Sequence, residues 1–83
     1  MNVKKIFVTG GAGFIGSHIC ENLFIEFKNS KIIILDKLTY AGNKKYLSKI
    51  INSPRVKFIK GDIKDYKLYK TFLKNTDIAI NVA

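Results

Sequence analysis

The sequence predicts an α/β fold built on a four-stranded parallel sheet in the order 3-2-1-4. Short apolar runs alternate strictly with segments whose apolar residues recur at helical spacing. This alternation is typical of parallel strands joined by right-handed helical crossovers. The first two apolar runs are continuous, as expected of strands that are covered on both faces. The 83 residues suffice for at most one small domain.

Each predicted strand has an apolar centre, and the four strands span residues 3–9, 31–36, 56–60 and 77–82. The third run alternates apolar and polar residues, which is expected of an edge strand half exposed to water. A first helix is predicted from residue 13 or 14 to about residue 27. Its apolar residues recur at the spacing of one helix face, at Ile15, Ile19, Leu23 and Phe27.

Two further helices are predicted in the crossovers. The second runs from residue 44 to about residue 51, with Asn43 as its N-cap and Pro54 beyond its end. It is expected to bury Tyr46, Leu47, Ile50 and Ile51. The third begins after its expected N-cap, Asp65, and is expected to bury Leu68, Tyr69, Phe72 and Leu73.

The turn between the first strand and the first helix has the pattern G-x-x-G-x-x-G, from Gly10 through Gly13 to Gly16. The N–H groups at a helix N-terminus lack partners and carry partial positive charge, so such a turn can hold a pyrophosphate. Gly10 permits the tight turn out of the strand, Gly13 leaves room for the phosphates, and Gly16 allows close packing of the helix. A purely structural glycine turn is the less favoured interpretation.

Asp36 ends the second predicted strand, about 20 residues after Gly16. A carboxylate at this position accepts hydrogen bonds from the hydroxyls of an adenosine ribose. It would also repel a 2′-phosphate, so the pattern favours NAD over NADP. Lys37 weakens this preference slightly, because a nearby cation can pair with a phosphate.

Composition excludes several other classes of function. The net charge is +9, but the lysines are spread along the chain and no strand interleaves basic with aromatic residues, which argues against a nucleic-acid partner. No apolar run approaches the ~18 residues of a membrane span, so no membrane partner and a cytoplasmic location are expected. Cys20 and His18 are the only residues of their types, expected to be buried and solvated respectively, and no metal site is predicted.

These motifs resemble the extended short-chain dehydrogenase/reductases, the NAD-dependent epimerase/dehydratase family, whose nucleotide turn matches residues 9–16. Residues 36–43, with the sequence DKLTYAGN, are most similar to the dTDP-glucose 4,6-dehydratases, and residues 61–63 match the family's turn after its third strand. The resemblance covers the whole chain but only the first part of the family's length. Residues 1–83 are therefore interpreted as the N-terminal part of an NAD-binding Rossmann-type domain. The fourth strand is expected to leave an outer edge open to pairing with another chain.

The resemblance also implies a role for each part of the site. The pyrophosphate of NAD would lie on the glycine turn, the adenosine ribose after the second strand, and the adenine on the turn after the third strand. The last residues would begin the segment under the nicotinamide half. The residues concerned are, in that order, Gly10, Gly13, Phe14, Ile15 and Gly16; Asp36, Lys37, Leu38 and Thr39; Asp62 and Ile63; and Val82 and Ala83. At Asn81 the sequence departs from the family, which usually has histidine there.

The family's reaction converts dTDP-glucose to dTDP-4-keto-6-deoxyglucose and water through a transient hydride transfer to NAD. It depends on a Tyr-x-x-x-Lys pair that follows the fifth strand of the family. The two such spacings in this chain, Tyr40…Lys44 and Tyr66…Lys70, fall elsewhere and are interpreted as coincidences. No catalytic residue is assigned, and the chain alone is expected to be inactive. A nucleotide-sugar substrate and a homodimer are expected only of the full-length family.

Two alternatives stay open at this point. One is part of a related nucleotide-sugar epimerase or decarboxylase, since these enzymes share the glycine turn. The other is a free-standing, non-catalytic nucleotide-binding module. Both alternatives keep a dinucleotide as the expected ligand.

Overall fold

The computed structural model describes residues 2–38 and 45–82, and these form one parallel sheet in the order β3-β2-β1-β4. The strands are β1 (Lys5–Thr9), β2 (Lys31–Asp36), β3 (Val56–Lys60) and β4 (Ile78–Asn81). The predicted order and the parallel direction of all three pairings are confirmed. β1 and β4 begin slightly later than predicted, although Val3 ahead of β1 is still buried.

One face of the sheet packs against α1 (Phe14–Glu26) and the segment that follows β2. The sheet contributes Ile6, Val8, Ile32 and Ile34 to this core, and Cys20 of α1 is fully buried against them. The first helix is confirmed, but its predicted apolar face is only partly right. Leu23 and Phe27 pack against the core, whereas Ile15 is 66% exposed. The residues of α1 that are buried are Gly16, Ser17 and Cys20.

The opposite face packs against α2 (Tyr66–Leu73). Tyr69 is buried there, with its ring 5.6 Å from that of Phe7, and Phe72 and Leu73 pack at the margin. Leu68 was expected to be buried but is 45% exposed. Asp65 occupies the N-cap position, yet its side chain makes no capping hydrogen bond. The third helix is therefore confirmed in position and only partly in its buried face.

The predicted second helix is wrong where the structure describes it. Lys45–Leu47 forms a single 3-10 turn, and turns continue to the start of β3. Hydrogen bonds of mixed spacing hold this segment: the Leu47 carbonyl accepts the N–H groups of both Ile50 and Ile51, and the Ile50 carbonyl accepts that of Ser53. These turns bury Leu47 and Ile50 without a regular α-helix and leave Tyr46 37% exposed. The predicted N-cap, Asn43, lies outside the described residues.

The amino-terminal edge of the sheet is held by two charged side chains. Arg55 donates hydrogen bonds to the carbonyls of Phe24, Phe27 and Ser30, at 2.9, 3.0 and 3.0 Å. Its guanidinium also lies 3.7 Å from the centre of the Phe24 ring. Asp77, just before β4, accepts the backbone N–H groups of Lys4 and Lys5 through one carboxylate oxygen. The C-terminal end of α1 and the start of β1 are thereby joined to the rest of the fold.

Several expectations from composition can be compared with the described residues. None of their helices is long and apolar enough to cross a membrane. Within the same ranges, no group of three or more His, Cys, Asp and Glu side chains is placed to hold a metal ion. His18 is exposed, with its ring against Phe14. Burial raises the pKa of the Cys20 thiol to about 12, with a smaller contribution from the Asp36 charge. The cytoplasmic location stays a prediction.

Candidate functional site

The glycine turn connects β1 to α1 by a route that only glycine can follow easily. Gly10 has a φ of 77°, in the left-handed region, and its N–H donates to the Leu35 carbonyl of β2 at 2.8 Å. A Cβ atom on Gly16 would lie 2.2 Å from the Gly10 carbonyl oxygen and 3.0 Å from the Gly11 Cα. The helix therefore rests directly on the backbone of the turn, in agreement with the close packing expected of Gly16.

The N-terminal end of α1 receives no capping hydrogen bond from a side chain of the described residues. Its N-cap residue is Gly13, no side chain of the described residues caps this end, and the first turn contains no acidic residue. The hydrogen bond from Ser17 N–H to the Gly13 carbonyl, at 2.8 Å, closes the first helical turn. The N–H groups that precede Ser17 have no acceptor within the helix. This end is consequently electropositive and open to an anion.

Asp36 is held rigidly where β2 ends. The residue is only 4% exposed, and one carboxylate oxygen accepts the N–H of Ala12 in the glycine turn at 2.9 Å. The other oxygen accepts the N–H of Leu38 at 2.8 Å. These two bonds fix the carboxylate relative to both the turn and the segment after β2. A carboxylate oxygen can accept more than one hydrogen bond, so the existing bonds to N–H groups are compatible with a ligand hydroxyl.

A second carboxylate, that of Asp62, follows β3. One of its oxygens accepts the Lys64 N–H at 2.9 Å, and the other lies 3.2 Å from the Lys37 Nζ. The hydrogen bond from Lys64 and then the ammonium of Lys37 lower the pKa of Asp62 below its ordinary value near 3.8. Asp62 is therefore an ionised acceptor at neutral pH, placed at the end of the strand next to Asp36.

The end of β4 completes this edge of the sheet. The Thr9 hydroxyl at the end of β1 donates to the Asn81 side-chain carbonyl at 2.6 Å, and the Val82 N–H donates to the Thr9 backbone carbonyl at 2.9 Å. Asn81 thus has a defined hydrogen-bond partner in this chain.

One cleft of about 510 Å³ lies along the carboxyl ends of the strands. It brings together most of the residues predicted for the site, namely Gly10, Gly13, Phe14, Ile15, Gly16, Asp36, Lys37, Asp62, Ile63 and Val82. Leu38 does not line the cleft, because its side chain packs against the core on the α1 face. Thr39 and Ala83 lie outside the described residues. The roles assigned to all these residues remain predictions.

Three residues that were not predicted as site residues also line the cleft: Thr9, Leu35 and Gly61. Each stands beside a predicted residue, at or just beyond the end of a strand. The rule that ligands of open α/β sheets bind outside the carboxyl ends of the strands would have identified them. Of the two Tyr-x-x-x-Lys spacings, only the second is described, and Tyr66 is 57% exposed at the start of α2. Tyr66 does not line the cleft.

A sheet in this order, with a glycine turn leading into a helix at the carboxyl edge, defines an α/β protein with a Rossmann-type fold. The family model described as GDP-mannose 4,6 dehydratase matches residues 7–83, and the chain belongs to this family.

The chain is similar to several dTDP-glucose 4,6-dehydratases. A dTDP-D-glucose 4,6-dehydratase from Dictyostelium discoideum is 46% identical over 83 residues, covering 98% of this chain and 19% of that protein. The dTDP-glucose 4,6-dehydratase of Bacillus anthracis, solved in complex with NAD, has a TM-score of 0.85 at 38% identity. That of Streptomyces venezuelae, solved with NAD bound, has a TM-score of 0.82 at 40% identity.

The matches cover almost all of this chain but only a small part of each relative. The two solved structures cover 96% and 95% of this chain, and the chain covers 26% of each of them. The chain thus spans about a fifth to a quarter of the relatives it matches. The resemblance to the N-terminal part of the dTDP-glucose 4,6-dehydratases is confirmed, and neither alternative is favoured over it.

Proposed function

We propose that this chain binds NAD in the cleft at the carboxyl edge of its sheet. The observation that carries the proposal is the uncapped N-terminus of α1, which opens onto the same cleft as the carboxylates of Asp36 and Asp62. An anion-binding end and two hydrogen-bond acceptors on neighbouring strands match the diphosphate, the ribose hydroxyls and the adenine amine of a dinucleotide. That solved relatives contain NAD supports the same ligand.

The apolar residues of the cleft fit the same ligand. Phe14, Ile15 and Ile63 line the cleft and are 62%, 66% and 48% exposed. Exposed apolar side chains grouped around a cleft are typical of a surface that a ligand covers. Gly13, at the helix start, has no side chain to occupy the space in front of the open N–H groups. The chain's own residues would thus hold the adenosine and diphosphate parts of NAD.

NAD is proposed in preference to NADP because of Asp36. Its carboxylate is buried and held by two backbone N–H groups, so it has little freedom to move away from a ligand. A ribose hydroxyl can donate to such a carboxylate, whereas a 2′-phosphate would be repelled by it.

We further propose that the chain serves as the NAD-binding part of a nucleotide-sugar dehydratase acting on dTDP-glucose. When bound, NAD supplies a hydride acceptor for oxidation of the sugar and returns the hydride after water has left. The residues of this chain would bind and orient the cofactor, and we assign none of them an acid or base role in the reaction. The nucleotide-sugar substrate and a homodimeric assembly are proposals for the complete enzyme, supported by the similarity to the dehydratases.

Calorimetric titration of the chain with NAD and with NADP tests the binding proposal. We expect tighter binding of NAD, and we expect the preference to fall at least about tenfold in Asp36→Ala. The ratio of the two affinities is the useful quantity, since it does not depend on the fraction of the variant that is folded. Asp65→Asn, a change of one charge outside the cleft, is the matched control. Failure of the unaltered chain to bind either dinucleotide would contradict the proposal.

The proposal that the chain has no acid or base role is tested with dTDP-glucose and NAD together. We expect no 4-keto-6-deoxy sugar from the isolated chain. Product formation that Tyr66→Phe abolishes would show that the interpretation of Tyr66…Lys70 as a coincidence is wrong.

A further inference from the structure

The ion pair between Lys37 and Asp62 joins two segments that the sheet holds side by side. The Gly61 N–H donates to the Asp36 backbone carbonyl at 3.0 Å, which places the residue after β2 beside the turn after β3. The Lys37 ammonium lies 3.2 Å from the Asp62 carboxylate, and both residues line the cleft together with Asp36. The proximity of this pair is therefore a consequence of the strand pairing.

The two partners differ in how firmly they are held. One Asp62 oxygen accepts the Lys64 N–H at 2.9 Å, so the carboxylate is fixed by the backbone of its own turn. The Lys37 side chain is long and 56% exposed, and within residues 2–38 and 45–82 its ammonium forms an ion pair with Asp62 alone. Among the described residues, the ion pair with Asp62 thus determines the position of the Lys37 ammonium.

A cation in this place matters for the choice of dinucleotide. Sites that accept the 2′-phosphate of NADP do so with a basic side chain near the residue that otherwise binds the ribose. Lys37 directly follows Asp36 and has the charge and length to serve in this way. The exclusion of a 2′-phosphate by Asp36 would be weakened if Lys37 were available to neutralise the phosphate.

We infer that Asp62 is a specificity-determining residue, which strengthens the preference for NAD by holding Lys37 in an ion pair away from a 2′-phosphate. The inference rests on the proposed function, namely a dinucleotide bound with its adenosine ribose at Asp36. Asp62 acts here through Lys37 and is in this respect a positioning residue. This role is separate from any hydrogen bond that its carboxylate accepts from adenine.

The test compares the unaltered chain with Asp62→Asn, by titration with NAD and NADP at low ionic strength. Adenosine 5′-monophosphate and adenosine 2′,5′-bisphosphate serve as a second pair of probes, because they differ only in the 2′-phosphate. Asparagine keeps an oxygen that can accept the Lys64 N–H and an adenine amine, so losses common to both ligands cancel in the affinity ratio. We expect the NAD:NADP ratio to fall about fivefold, the scale of one surface ion pair.

Two further variants separate the action of Lys37 from a general charge effect. Asp65→Asn removes one negative charge three positions away without touching the pair, and we expect it to leave the ratio unchanged. Asp62→Asn is also made together with Lys37→Met. In that background the cation is absent, so the fall in the ratio is expected to be lost.

The outcomes are distinct. An NAD preference that Asp62→Asn leaves unchanged overturns this inference and leaves the proposed function standing. An equal fall in the presence and absence of Lys37 also overturns it, because Asp62 would then act on the phosphate directly. If the unaltered chain binds neither dinucleotide, the proposed function fails and this inference fails with it.

Discussion

The two ends of α1 differ in whether side chains bind their unpaired backbone groups. At the C-terminal end, Arg55 donates to the carbonyls of Phe24 and Phe27, and the Phe27 carbonyl also accepts the Ser30 hydroxyl at 2.7 Å. At the N-terminal end, the cap is Gly13, which has no side chain to offer. Both ends of a helix carry backbone groups that lack intrahelical partners. Within the part of the chain that the structure describes, the end that faces the cleft has no side-chain cap.

This difference between the two ends indicates which part of the fold can bind a ligand. Hydrogen-bonding groups that are already paired add stability, whereas groups left open at a cleft are available to a ligand. The amino edge of the sheet, with Arg55 and Asp77, belongs to the first kind. The carboxyl edge, with the glycine turn and Asp36, belongs to the second, although Asp36 is also paired with backbone N–H groups. Changes at the two edges should therefore have different consequences.

The largest effect is expected from Gly16→Ala, at the open end. The new Cβ would lie 2.2 Å from a backbone oxygen, so the turn or the helix must shift. We expect a loss of about 3 kcal/mol in the free energy of unfolding and loss of NAD binding. Gly61→Ala is the matched control. Its Cβ would lie 2.3 Å from the end of the Leu68 side chain, which is half-exposed and can move. Equal losses of stability from the two substitutions in urea titration would argue against the packing role of Gly16.

Arg55→Met tests the closed end. It removes three hydrogen bonds from a charged group to carbonyls and the contact with the Phe24 ring. We expect the free energy of unfolding to fall by about 2 kcal/mol, while the folded fraction keeps its affinity for NAD. Lys57→Met, at an exposed residue on the α2 side of β3 whose ammonium lies 5.8 Å from the centre of the Phe72 ring, removes the same charge without these hydrogen bonds. If Arg55→Met weakened NAD binding by the folded chain without lowering its stability, the C-terminal end of α1 would have a role in binding, contrary to this account.

A smaller effect is expected from Asp77→Asn and should depend on pH. Hydrogen bonds from the N–H groups of Lys4 and Lys5 lower the pKa of Asp77 below its ordinary value near 3.8. The stability from this group is therefore present above pH 3.8 and is lost as the pH falls through the lower, folded-state pKa. As the pH is lowered from 6 to 2, the urea midpoint of Asp77→Asn should therefore fall less steeply than that of the unaltered chain, and the difference should develop below pH 3.8. A midpoint that falls equally in both proteins would contradict this account of Asp77.

Much of the fold could be predicted because its signals are local or follow general rules. The strict alternation of elements implied the order of the strands, and a continuous run such as Ile32–Leu35 identified a buried strand. The glycine spacing and the position of Asp36 located the cleft. These features depend on strand ends meeting at one edge, which the topology alone ensures.

The rest depended on contacts that no local pattern reports. Ile15 was assigned to the buried face because it fits the helical period, but periodicity does not distinguish a residue that faces the core from one that faces a cleft. The segment after residue 44 has the composition of a helix, yet it buries Leu47 and Ile50 with one short 3-10 turn and the irregular turns that follow it. The pairs formed by Lys37 with Asp62 and by Arg55 with the end of α1 join residues far apart in the sequence.

We propose that the open N-terminus of α1, and not its closed C-terminus, receives the diphosphate of NAD. Amide chemical shifts of the ¹⁵N-labelled chain, followed during titration with NAD, test this proposal. We expect the largest changes at Gly13, Phe14 and Ile15 and none at Phe27 and Ser30. Saturating NAD that leaves the amides at the start of α1 unmoved, or that moves both ends of the helix equally, would contradict the claim.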